Sequence, residues 1–229
     1  MIESSIQPSH LTPDVRQKYR EAFNSHPARL VVLKDFLRSE VAERLSRFLS
    51  DEAIFVPEYG LYSSKDAVDE NDFLCAADSD RFFRFSKLVG SAPGLQMTPN
   101  AIAYLRLRQV FQHPDMKSFF EAISGLQLGW SDDFGAHKMS AGDFLRPHSD
   151  DNRNRRLALV IYLSRDWKQE FGGVLHVLND AATRTDILPE YNSMVAFDVL
   201  GAAQHYVSPI KAGVRLTIGG WYHKPAATE

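Results

Sequence analysis

The sequence predicts a mainly β chain with flanking α-helices, its strands closing into a jelly roll, the double-stranded β-helix. Three observations lead there. From Trp130 onward, short alternating apolar runs recur with Gly, Pro, Asn and Asp between them, the texture of a sandwich or barrel. Before that point several stretches follow helical spacing, with proline at their starts and a glycine stop. The 229 residues suffice for one sizeable core and are short for two, so one domain over 1–229 is expected. Within it residues 1–128 give mostly helical support and 129–229 the jelly roll.

Taken in order, Pro13 suits the first turn of a short, charged surface helix over residues 14–23. Leu30-Val31-Val32-Leu33 is a brief apolar run that fits a buried strand. Ser39 can cap the next helix, with Glu40 at its positive end and Val41, Leu45, Phe48 and Leu49 on one face, outside a sheet. Residues 51–94 mix aromatic and acidic side chains without a sustained period. They read as long connections with a short strand near 81–85, and as either a lid over the site or core aromatics. Helices follow over 101–110 and 115–123, the second ending at Gly125.

The strands then expected are 143–148, 157–163, 174–178, 194–199, 204–207 and 214–222. Alternation sends Leu157, Leu159, Ile161 and Leu163 outward under the helices and Ala158, Val160 and Tyr162 inward. Likewise Arg215, Thr217, Gly219 and Trp221 share one face, opposite Val214, Leu216, Ile218 and Tyr222.

The chemistry centres on His148 and Asp150, which project from one face because strand residues i and i+2 do so. With His205 they make two imidazoles and a carboxylate, the set that binds one side of a non-haem Fe(II) and leaves the other open. Arg215 stands ten residues beyond His205, the two placed symmetrically about a turn near 208–213, which would bring them onto neighbouring strands. A guanidinium pointing into a barrel needs an anion, and a carboxylate supplies one with two parallel hydrogen bonds. His113 and Asp115 repeat the His-x-Asp spacing, but Pro114 between them makes Asp115 a first-turn carboxylate. His176 alternates outward, while His137, His223, His10 and His26 lack partners at ligand spacing. Arg153 lies in the run 152–156, which is either a cationic mouth for an acidic substrate or a solvated loop.

Net charge is −3 and the pI about 6.2, without massed cations, so no nucleic-acid partner is expected. The lone Cys75 excludes an intrachain disulfide framework or a cysteine zinc cluster and fits a reducing compartment. No apolar run reaches the ~20 residues needed to span a bilayer, and residues 1–13 are polar, so no membrane partner and a cytoplasmic location are expected. Oligomeric state stays open.

Over about residues 138–223, the order His148-x-Asp150, His205, Arg215-x-Thr217 resembles the Fe(II)/2-oxoglutarate-dependent oxygenases, most closely their prolyl 4-hydroxylase-like branch. Tyr162-Leu163-Ser164 is similar to the place where that branch has a tyrosine on the 2-oxoglutarate carboxylate. Trp221 matches an aromatic position bordering substrate, and Gly172-Gly173 resembles the family's turn. Met139 departs from a tyrosine common in relatives, so that contact is not carried over.

The resemblance implies a cupin-like core as the catalytic half. Fe(II) would be held by His148, Asp150 and His205. The cosubstrate 2-oxoglutarate would be held by Arg215, Tyr162 and Thr217, with O2 as oxidant and ascorbate an accessory reductant. Halogenating relatives lack the carboxylate, so Asp150 implies hydroxylation, with Trp221 and Arg153 the candidate substrate contacts. The substrate is open between a small molecule and a peptide, prolyl residues included. The alternative is a non-oxygenase metal-binding cupin-like protein, an isomerase or sensor, which has no need of Arg215.

Overall fold

The computed structural model describes residues 2–89, 97–130, 133–151, 154–179, 183–202 and 204–226. Among them one antiparallel sheet of eleven strands curls on itself. One side carries β1 (Leu30–Leu33), β9 (Met194–Asp198), β6 (Arg155–Tyr162), β11 (Arg215–His223) and β4 (Phe134–Met139). The sheet continues through β3 (Arg81–Leu88) into β5 (Phe144–His148), β10 (Gln204–Val207), β7 (Leu175–Leu178) and β8 (Arg184–Ile187), and β2 (Phe55–Leu61) pairs with β3.

Strand alternation sorts the apolar residues into two clusters, as expected. Leu157, Leu159, Ile161, Leu163, Leu216, Ile218 and Tyr222 face the helices α1 (Pro13–Ser25), α2 (Ser39–Arg47), α4 (Pro99–Phe111) and α5 (Pro114–Ser124). Their partners there include Phe23, Leu45, Phe111, Phe119 and Phe120, so α1 contributes a fully buried side chain as well as surface cover. Ala158, Tyr162, Met139, Val177, Val195 and Phe197 line the concave side, with Trp221 packed against them. Burying one face of each strand under helices is the main stabilising term here, at roughly 25 cal/mol for each Å² of apolar surface removed from water.

Three expectations are corrected. Ser39 is the first residue of α2, not its cap; the flanking Arg38 makes no side-chain cap, and Glu40 instead pairs with Arg44 at 3.0 Å. Of the expected connections over 51–94, the part up to residue 89 holds β2, β3 and the short α3 (Glu70–Cys75), and 90–94 lie outside the described residues. Pro57 and Gly60 hide β2 from pattern reading. A proline is tolerated on such an edge strand, and a Cβ on Gly60 would sit 2.2 Å from the Phe83 ring. The strands expected at 30–33 and near 81–85 are present as β1 and β3, both integral to the sheet. Finally, β10 and β11 are not neighbours: β10 pairs with β5 and β7, and β11 with β4 and β6. The chain between them crosses from one part of the sheet to the other instead of closing a hairpin. No helix among the described residues is long and apolar enough to cross a membrane.

Candidate metal and anion site

His148 ends β5 and His205 sits directly opposite it on β10, with a register irregularity just beyond His205. Their rings lie 4.2 Å apart, and ligand atoms of His148, Asp150 and His205 all fall within 4.8 Å of one another. Each imidazole is locked from behind. His148 Nδ1 lies 2.9 Å from the Arg146 carbonyl. A carbonyl only accepts, so Nδ1 carries the proton and the Nε2 lone pair is left toward the cluster. Phe82 meets the His148 ring edge-on at 5.2 Å, and Phe197 does the same to His205 at 5.0 Å.

Asp150, just past the end of β5, is gripped on both oxygens. Arg155 Nη1 donates to Oδ1 at 2.6 Å and Trp221 Nε1 donates to Oδ2 at 2.8 Å, with His205 Nε2 3.4 Å from Oδ2. Arg155 in turn lies 3.3 Å above the Trp221 ring and pairs with Asp133 at 2.9 Å. Burial would raise the Asp150 carboxyl. The hydrogen bond and charge of His205, with Arg155 and His148 behind them, outweigh it and hold the group well below the usual carboxylate range. Burial also pushes His148 down to about 4, His205 adding to the effect and Asp150 opposing it. Near neutral pH the cluster is therefore a carboxylate with a neutral His148, the protonation that a divalent cation requires.

A second group of side chains points into the same concavity. Arg215, only 4 % exposed, lies with its guanidinium 5.1 Å from the Tyr162 ring centre and its Nη1 3.5 Å from Met139 Sδ. Arg215 Nε and Tyr162 Oη are buried with no hydrogen-bond partner among the described residues. Burial lowers the Arg215 pKa and raises that of Tyr162. Thr217 is buried and stands opposite Tyr162 in the β6–β11 register. Gly173, at φ 64°, makes room for the arginine: a Cβ there would meet Arg215 Cδ at 3.2 Å and Trp167 at 2.9 Å. Ser164 accepts from the Leu216 backbone at 2.6 Å, tying the end of β6 to the start of β11.

The sequence-expected residues His148, Asp150, His205, Arg215, Tyr162, Thr217 and Trp221 thus meet in one concavity, while Arg153 lies outside the described residues. The solvated-loop reading of 152–156 is corrected for its end, where Arg155 holds Asp150 and Arg156 pairs with the buried Asp198 at 3.1 Å. Asp115 lies in the first turn of α5, as its proline implied, and His113 caps that helix by accepting from the Asp115 backbone. His176 faces away from the concavity, bonded to Asp186 at 2.7 Å and stacked on Tyr206. Two neighbours escaped the sequence. Tyr62 stacks on Phe82 at 4.8 Å and donates to the Pro147 carbonyl at 3.0 Å, because β2 and β3 pack there. His137 points inward from β4, beside Thr217.

The residues fit the groups implied for them. The histidine–carboxylate cluster has the donor types that suit Fe(II), and the Arg215 and Tyr162 atoms without hydrogen-bond partners among the described residues suit a carboxylate.

Comparison with known proteins agrees. Residues 134–223 match the 2OG-Fe(II) oxygenase superfamily. A prolyl 3-hydroxylase of Mus musculus is 29% identical over 123 residues, 50% of this chain and 23% of that protein. A prolyl 3,4-dihydroxylase of Ostreococcus tauri is 32% identical over 139 residues, 55% of this chain and 26% of its own length. The chain therefore spans about a quarter of these relatives. The crystal structure of a Pseudomonas putida prolyl-4-hydroxylase shares the fold, with a TM-score of 0.59 at 22% identity over 91% of this chain and 98% of that one. The His148–Asp150–His205 cluster and Arg215 all lie inside residues 134–223, the segment that is similar to the 2OG-Fe(II) oxygenase superfamily.

Proposed function

We propose that this protein is an Fe(II)- and 2-oxoglutarate-dependent hydroxylase acting on a prolyl residue of a peptide. The observation that carries the reaction class is the pairing of the three-ligand cluster with a buried, carboxylate-less arginine in one concavity. His148, Asp150 and His205 would hold the metal, and Arg215, Tyr162 and Thr217 the far carboxylate of 2-oxoglutarate. When bound, iron with 2-oxoglutarate and dioxygen supplies the oxidising power to hydroxylate an unactivated C–H bond, 2-oxoglutarate leaving as succinate and carbon dioxide.

The chain's own part is to orient and to exclude water. Arg155 and Trp221 fix the Asp150 carboxylate so that its geometry does not depend on the ligand. Arg215 sets the direction of the diacid, and the apolar Met139, Val195 and Phe197 keep that corner dry. Beside His148, Phe82 and the 48 % exposed Tyr62 form an aromatic step that reaches solvent, suited to the flat apolar face of a pyrrolidine ring on an extended peptide. Prolyl hydroxylases among the relatives support that substrate class, and Trp221 is the indole nearest the reacting centre. A metal-binding isomerase or sensor would leave Arg215 without a purpose.

Two measurements test the reading. Anaerobic addition of 2-oxoglutarate to the Fe(II)-loaded protein should produce a weak visible charge-transfer band, and its absence with iron bound removes the cosubstrate. Succinate release should then be stimulated by proline-containing peptides with a gain of one oxygen on the proline. Stimulation by free amino acids alone would overturn the peptide assignment.

A further inference from the structure

The geometry points to His137 as a further polar contact for the carboxylate that Arg215 awaits. We propose that the His137 imidazole donates a hydrogen bond to the distal carboxylate of the bound cosubstrate and so helps select a diacid. This rests on the reading of 2-oxoglutarate as the ligand of that corner.

Register places the residue. Thr217 on β11 is opposite Tyr162 on β6 and opposite His137 on β4, and His137 is opposite Lys87 on β3. Directly opposed residues project from the same face of a sheet with Cβ atoms ~4.5–5.5 Å apart. Tyr162, Thr217, His137 and Lys87 therefore form one row across four adjacent strands, running from the buried Tyr162 to the exposed Lys87. The next row holds Arg215 opposite Met139, which puts His137 diagonally beside the guanidinium, ~7–8 Å away at the backbone and within reach of a ring.

The Phe85 ring, edge-on at 5.2 Å, steadies the imidazole. Burial lowers His137 to about 4, with Lys87 and Arg215 adding to the effect and Asp133 opposing it. It thus stands neutral beside a buried cation and keeps one N–H to donate. Met139, the residue nearer the guanidinium, offers only a thioether. A carboxylate bound there would find its polar contacts in Arg215, Tyr162, Thr217 and His137.

The test compares two ligands that differ only at the far end. 2-Oxoglutarate and 2-oxopentanoate, of equal chain length but without the distal carboxylate, are titrated calorimetrically into the Mn(II)-loaded full chain without turnover. His137→Ala should weaken 2-oxoglutarate by about tenfold, the worth of one hydrogen bond to a charged group, and leave 2-oxopentanoate nearly unchanged. His137→Asn, which keeps a donor, should recover part of the loss and guards against a variant that does not fold. Equal weakening of both ligands would show a merely structural histidine, and no change in either would overturn the proposal as well. If the unaltered protein binds Mn(II) but no 2-oxoglutarate, the functional reading above falls with it; if it binds and His137→Ala binds equally, only the role of His137 falls.

Discussion

The two halves of the site are prepared in opposite ways. At the metal cluster, both oxygens of Asp150 and the Nδ1 of His148 are held by protein donors and acceptors. At the anion corner, Arg215 Nε and Tyr162 Oη are buried without hydrogen-bond partners among the described residues. One half is satisfied before any ligand arrives; the other carries a buried cation that the neighbouring Tyr162 offsets only in part. A satisfied cluster sets geometry, and an unsatisfied one stores binding energy for a particular guest.

The sharpest way to break the comparison is to remove the shared carboxylate. Asp150→Ala should abolish turnover and metal binding, and it strands Arg155 and the Trp221 N–H at once. Retained activity would overturn the metal assignment. Arg215→Met is the matching change at the other end. Losing a bidentate charge-assisted contact should raise the 2-oxoglutarate requirement by about 10–100-fold. The same variant, freed of a buried unpaired charge, should melt higher than the unaltered protein in the absence of ligand, by about 2–4 °C for each kcal/mol recovered. It should also lose the melting shift that 2-oxoglutarate confers. A lower ligand-free melting temperature would mean that Arg215 is paired after all.

Trp221→Phe is a milder probe. It keeps a ring beneath Arg155 but removes the donor to Asp150 Oδ2. Loss of one such supporting contact typically costs about 10–100-fold in metal affinity. The lower end is expected here, because Arg155 still holds Oδ1. Titration with Fe(II) under argon reads this directly, and unchanged affinity would reduce Trp221 to packing.

How much of this was legible in the sequence follows from where each feature is encoded. The period of two along a strand is local, so the facing of His148 with Asp150, and of Leu157, Leu159 and Ile161 against Ala158 and Tyr162, could be read directly. Which strand lies beside which is not local. The link between His205 and Arg215 has the length of a hairpin, yet it crosses the sheet, so the two residues share a concavity without being on paired strands. Arg155 looked like part of a solvated run because nothing nearby reveals that Asp150 and Trp221 would enclose it. His137 was passed over for the same reason: it has no ligand-spaced neighbour in the chain, and its partners Thr217 and Lys87 become adjacent only through sheet register. The β2 strand failed differently, since Pro57 and Gly60 erase its pattern while pairing with β3 preserves its backbone.

The smallest expected effect separates the two halves by pH. His148 and His137 are both depressed to about 4 in the folded protein, in each case first by burial. In the unfolded chain a histidine titrates near 6.5. Between those values the unfolded state binds more protons, so stability falls as pH falls through the window and levels off below about 4. Asp150 pulls the same way at still lower pH, because its depressed carboxyl gives up its stabilisation only on protonation. Melting of the metal-free protein from pH 7 to pH 5 should therefore show a downward slope that His137→Asn and His148→Asn each reduce, by about 2–4 °C for each kcal/mol of proton linkage removed. Adding Fe(II) under argon should raise melting across the window without flattening the slope, since folded His148 is already neutral there and the extra protons are bound by the unfolded chain. If either variant alone abolished the whole slope, the two histidines would be titrating as one unit, and the division between a metal half and an anion half would not hold.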